Sequence, residues 1–194
     1  MRINKSELIK FAGIIPQSRT TISISINILN QDIFNTLMAK EHLNKIIEIL
    51  NKNNLEFKHF THDHVITAEE AARVRNTKIE EAAKALILKD KENNIYQFII
   101  SGHKRLELKK IKRYFGIKNI ALADPDTVKE KTGCTVGSVP PFGTIFNLIV
   151  YIDKSVTENE YVVFSAGTHN DSIRMKSRDY INVVKGIVGD FGKE

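Results

Sequence analysis

A chain of 194 residues, 42% hydrophobic and 27% charged, is long enough to bury one ordinary core and too apolar for a disordered tail. No apolar run reaches the length of a membrane span, the N-terminus lacks the apolar centre of a secretory signal, and the single cysteine, Cys134, excludes an internal disulfide framework. These features predict a cytoplasmic protein with no membrane partner, and the excess of 29 Lys and Arg over 23 Asp and Glu favours an anionic partner without naming one.

In chain order, Ser6–Ile15 has helical composition ahead of Pro16, and Thr21–Leu29 alternates as a strand does. Residues 1–39 read as an N-terminal extension and residues 40–194 as the main domain. From Ala39 onward Leu43, Ile46, Ile47 and Leu50 recur at helical spacing, and Asn53-Asn54 ends the helix. Leu55–Phe60 has strand composition. Thr67 and Glu70 stand at capping-box spacing and predict a short helix through Arg75. Ala82–Asp90 and Ile95–Ser101 read as two strands of a hairpin around a turn at Lys91–Asn94.

His103–Phe115 is basic and amphipathic. Leu106, Ile111, Tyr114 and Phe115 are placed on a buried stripe, with Lys104, Arg105, Lys109, Lys110, Lys112 and Arg113 facing out. Such a face can neutralise phosphates or simply be solvated. Gly116 closes the helix and Asn119–Ala123 is a short strand. Asp124 then caps a helix with Pro125 in its first turn, which runs to Gly133. Thr144–Asp153, Glu160–Gly167 and Ser172–Lys176 read as strands. A final helix starts near Ser177 with Tyr180, Ile181, Val184 and Val188 toward the core. Interleaved strands and helices predict a mixed α+β (α/β) domain around one mixed sheet.

Three places could carry chemistry. Between Thr132 and Asn147, Gly133, Gly137 and Gly143 bracket Pro140-Pro141, a stiff loop that is either a ligand wall or a structural turn. Lys84 opens an apolar strand with no evident solvent face, so its ammonium must snorkel, pair or serve a purpose. His59, His62, Asp63 and His64 are metal-ligand types, yet their spacing matches no established zinc pattern. Cys134 lacks a catalytic-cysteine context, and phosphate-loop, dinucleotide and GxSxG motifs are absent.

Taken in order, Lys84 of KALIL, the GxxxP element Gly137–Pro141 continuing into Phe142-Gly143, FSAG at Phe164–Gly167, and the helix motif from His64 to Ala72 resemble the YbaK family, the prolyl-tRNA synthetase-associated editing domain. The resemblance covers roughly residues 40–190 and implies a central mixed, partly barrel-like sheet flanked by helices. It implies a trans-acting aminoacyl-tRNA deacylase, with mischarged tRNA as partner, an aminoacyl-tRNA synthetase as a second partner, and neither metal nor organic cofactor.

Carried over, Lys84 and Gly137 are the catalytic candidates; Gly133, Thr135, Ser138, Val139, Pro140, Pro141, Phe142, Gly143, Ser165, Gly167 and His169 are the substrate-binding ones. The basic residues between Lys104 and Arg113 then become tRNA contacts. Relatives specialised for alanyl-tRNA carry asparagine after the lysine and His-Pro in the loop, where this chain has Ala85 and Val139-Pro140. The alternative reading is a non-catalytic module that recognises a tRNA 3′ end or docks on a synthetase.

Overall fold

Helical spacing of Ile46 and Leu50 buries both residues completely on a helix that reaches through residues 40–52 (α1). In the computed structural model, residues 40–65 and 67–193 are described, all within one unit. The helix expected at Ser6–Ile15 and the strand at Thr21–Leu29 lie outside them. Asn54 takes the left-handed conformation (φ 53) just beyond α1, as an Asn at a helix end readily does.

The chain then forms β1 (Phe57–Thr61), α2 (Ala68–Arg75), a 3₁₀ turn (Ile79–Glu81), β2 (Ala83–Asp90) and β3 (Ile95–Ser101). Both arms of the capping box are made: Thr67 Oγ1 accepts from Glu70 N at 3.1 Å, and Thr67 N donates to Glu70 Oε2 at 3.2 Å. β2 and β3 pair antiparallel from Ala83↔Ser101 to Lys89↔Ile95, and Asp90 locks the turn by accepting from the Asn94 backbone and side chain and from Tyr96. Next come β4 (Arg105–Leu106), α3 (Leu108–Phe115), β5 (Ile120–Leu122) and α4 (Pro125–Thr132), the last capped by Asp124 through Thr127 N at 2.8 Å.

After α4 stand a 3₁₀ helix (Gly143–Phe146), β6 (Val150–Asp153), α5 (Lys154–Thr157), β7 (Tyr161–Ser165), β8 (Asp171–Lys176), α6 (Ser177–Val184), β9 (Ile187–Gly189) and β10 (Gly192–Lys193). The expected mixed sheet is five-stranded, in the order β5-β2-β3-β6-β9, with β3, β6 and β9 parallel. A second antiparallel sheet, β1-β8-β7, meets it through the bridge Ala82↔Val163. That bridge brings the start of β2 against β7. The main core, which includes Ile99, Phe142, Ile152, Phe164 and Tyr180, fills the space beneath both sheets and α1.

Three sequence expectations change. The apolar run from Thr144 is not one strand: Gly143–Phe146 coil into the 3₁₀ helix, Asn147 turns left-handed (φ 56), and only Val150–Asp153 join the sheet. A short apolar run cannot distinguish a buried helical turn from a strand by periodicity. The basic helix starts at Leu108, so Leu108, Ile111 and Phe115 take its inner face and Tyr114, roughly a quarter turn away, is 55% exposed. Val188 belongs to β9, 47% exposed, because Lys185 (φ 53) ends α6 first.

Candidate active site

Lys84 is the second residue of β2, and its half-buried side chain reaches the loop after β3. There Nζ donates to the carbonyls of Gly102 and Lys104, each at 2.7 Å. An ammonium has three donors, so two are spent on fixing its position. Burial pulls its pKa below the ordinary lysine value, with the nearby Glu69 carboxylate opposing and Arg105 reinforcing that shift. The lysine that had to snorkel, pair or serve a purpose is thus held by two backbone oxygens at the wall of a cleft.

The cleft has a volume of about 270 Å³ and lies between α2, the start of β2, the end of β7 and the turn after α4. Lys84, Gly137, Val139 and Ser165 all line it. Gly137 sits in the turn closed by Ser138 N donating to Thr135 O at 3.1 Å, with φ 91. It occupies the third position of that turn, the place where a type II turn requires positive φ.

Side chains behind the turn hold it rigidly. Ser138 Oγ donates to Thr135 O at 2.9 Å, and Ser138 O accepts from Gly167 N at 3.2 Å. His169 Nδ1 lies 2.8 Å from Val65 O, which can only accept, so Nδ1 carries the proton and Nε2 accepts from Thr135 Oγ1 at 2.9 Å. Burial, aided by the adjacent His64 ring, lowers the His169 pKa despite the Val65 carbonyl, which keeps the imidazole neutral. His169 therefore ties three loops together.

The two prolines face inward. Pro140 O accepts from Gln97 Nε2 at 3.0 Å and Pro141 O from Tyr180 OH at 2.8 Å, while Phe142 packs on Phe164 and Tyr180. Cys134 is 2% exposed, 3.3 Å from His42 Nδ1, and burial pushes its thiol up to about 12. Enclosed in this way, the thiol is a poor source of thiolate at neutral pH. His59 pairs with Asp171 at 2.8 Å and His62 with Ser172 at 2.6 Å, and among the described residues no group of three or more His, Cys, Asp or Glu could hold a metal.

The profile of the aminoacyl-tRNA editing domain matches residues 62–183, which contain the whole cleft. The chain belongs to that family. The multifunctional Ser/Thr-tRNA deacylase ProXp-y of Escherichia coli K12 is 30% identical over 156 residues, 77% of this chain and 93% of that protein. A proline–tRNA ligase of Staphylococcus epidermidis is 29% identical over 121 residues, 60% of this chain and 21% of the ligase. The crystal structure of a candidate trans-editing enzyme for prolyl tRNA synthetase superposes with a TM-score of 0.67 at 25% identity, covering 79% of this chain and 98% of that one.

Within this editing domain the sequence-derived site residues fall into two layers. Lys84, Gly137, Val139 and Ser165 are on the cleft wall. Thr135, Ser138, Gly167 and His169 brace the turn, Gly133 caps α4, and Pro140, Pro141, Phe142 and Gly143 belong to the buried support. The basic residues do not share one helix face: Lys104 lies in the loop that holds Lys84, Arg105 is in β4, and Lys110 is tied to Asp190 and Gly192 O. Lys109 and Arg113 are exposed and Lys112 is half-buried on α3.

Sequence reasoning missed two residues. Gly102 supplies a carbonyl to Lys84, and a Cβ there would run into the Ile79 carbonyl oxygen. Arg75 lines the cleft and is nine-tenths buried. In the sequence it looked like an ordinary last-turn cation on a helix C-terminus.

Proposed function

We propose that this chain is a trans-acting aminoacyl-tRNA deacylase of the type that clears tRNAs mischarged in prolyl-tRNA synthesis. The observation that carries the reading is that Lys84 and Gly137 line one cleft, so that a fixed ammonium and a backbone turn share its walls. Family membership and the similarity to ProXp-y across 93% of its length support the same activity. Similarity to a segment of proline–tRNA ligases supports the synthetase connection.

An aminoacyl ester is already activated, so positioning and charge stabilisation can supply catalysis without a strong base. Water adds to the acyl carbon, the bond to the ribose oxygen breaks, and the proton lost by the water ends on that oxygen. Among the described residues the third N–H of Lys84 has no partner, so it can meet a substrate oxygen, and Gly137, which carries no side chain, lets the ester approach the turn backbone. Neutral His169, with both ring nitrogens engaged, braces the turn. The cleft walls are small and apolar at Ala68, Ala71 and Ala83, which suits steric selection among small amino acids, where each methylene is worth about 1–3 kcal/mol.

The exposed Lys109 and Arg113, with Arg105, extend from the loop that holds Lys84, and we assign them to backbone phosphates of the acceptor stem. The test is release of amino acid from tRNAs mischarged in the prolyl, alanyl, seryl, threonyl and cysteinyl classes. Turnover that requires an intact tRNA body supports the deacylase. Binding of tRNA without turnover would make the chain a recognition module, and cleavage of simple aminoacyl esters without tRNA would make it a small-ester hydrolase.

A further inference from the structure

Among the described residues that line the cleft, Arg75 and Lys84 are the two charged side chains, and both are cations. Lys84 is occupied by two carbonyl oxygens at 2.7 Å. Arg75, 9% exposed, has much weaker satisfaction: its Nε lies 3.4 Å from His62 Nε2 and its Nη2 3.5 Å from Ser165 Oγ, neither of them a carboxylate and both at the edge of hydrogen-bond range. Among the described residues no carboxylate pairs with it. His62 Nδ1 lies 2.7 Å from Asp63 O, and its Nε2 is shared between Ser172 Oγ at 2.6 Å and Arg75 Nε at 3.4 Å. Burial lowers the Arg75 pKa only to about 10, so the guanidinium stays protonated at neutral pH.

A buried cation with five N–H donors and no anionic partner among the described residues is costly, and guanidinium geometry matches two oxygens of one phosphate or oxyanion. We propose that Arg75 binds an anionic oxygen of the substrate within the cleft, either the phosphate of the terminal nucleotide or the oxyanion that develops on the ester carbonyl. The inference builds on the deacylase reading by naming a second cation for the same guest. Ser165 and His62 then serve to aim the guanidinium while the cleft is empty.

The test uses the full chain with two probes, AMP and an adenosine 3′-phosphonate that mimics the tetrahedral intermediate. The Arg75 Nε–H resonance, assigned by its loss in Arg75→Lys, is followed by NMR in the wild type, so the result does not depend on a folded knockout. A shift on saturating AMP marks the phosphate as the source, and a shift on the phosphonate but not AMP marks the oxyanion. No shift with either probe overturns the proposal. Arg75→Gln adds a kinetic reading: the phosphate source raises KM at least about tenfold with little change in kcat, and the oxyanion source lowers kcat by as much with KM retained. Unaltered kcat and KM in folded Arg75→Gln also overturn it. Inactivity of the wild type on every mischarged tRNA would sink the deacylase reading instead, and the resonance still judges Arg75.

Discussion

On the deacylase reading, an alanine-flanked lysine and a buried arginine set what this cleft can do, a histidine braces the turn beside it, and each owes its state to a few neighbouring atoms. Lys84 was legible because a charge opening an apolar strand breaks a local rule. Arg75 was not, because a cation in the last turn of a helix satisfies one. The same reasoning separates Cys134 from catalysis: with its thiol pushed up to about 12, alkylation of the folded protein should be slower than of the unfolded chain by on the order of a hundredfold or more. Equal rates in native buffer and in denaturant would show that the thiol is not enclosed.

His42 and His169 give the molecule a pH dependence whose sign is fixed. Burial lowers both folded pKa values below the ordinary histidine value, so on acidification the unfolded chain takes up protons first. Their contribution to stability is complete above about pH 6.5 and is lost as pH falls through the lowered folded values. Urea midpoints measured at pH 7.5 and pH 5 should therefore fall, and His169→Gln should reduce the difference. A midpoint that rises on acidification would contradict the neutral, Nδ1-protonated His169.

Among the elements, the stretch from Thr132 to Asn147 combines two jobs that composition alone could not divide. Its first half presents the turn at Gly137 to the cleft, and its second half anchors that turn by sinking Pro140, Pro141 and Phe142 into the core. Glycines and prolines announce a stiff loop without saying which face looks outward, since that depends on partners such as Gln97 and Tyr180, distant in sequence. Gly137→Ala forces a side chain into φ 91 and should cost about 1–2 kcal/mol of stability, with a larger loss of activity than of folding. Gly102→Ala must push the loop off Ile79 and so withdraw a carbonyl from Lys84. Its expected signature is a lowered kcat, read against a thermal midpoint that moves by only a few degrees; wild-type turnover would show that this carbonyl does not set the lysine.

Over the whole molecule, the hairpin, the N-caps at Thr67 and Asp124 and the mixed sheet could be read from periodicity and turn chemistry. The closure of the cleft could not, because it rests on the Ala82↔Val163 bridge between sheets and on His169 reaching Val65, contacts made by residues 81 and 104 positions apart in the chain. The basic segment shows the same limit: composition reported its charge, and the fold spread it over a loop, β4 and α3. Reversing the exposed Lys109 and Arg113 to Glu should weaken tRNA binding about equally across acceptor sequences and flatten its dependence on salt, at constant kcat. An unchanged salt slope would place the tRNA body elsewhere.

The cooperation of Lys84 with the Gly137 turn is tested most directly by single-turnover release of amino acid from a mischarged tRNA, comparing the wild type with folded Lys84→Met. Removal of the ammonium should slow release by at least about a hundredfold while tRNA affinity changes little. Release at the wild-type rate would contradict the account.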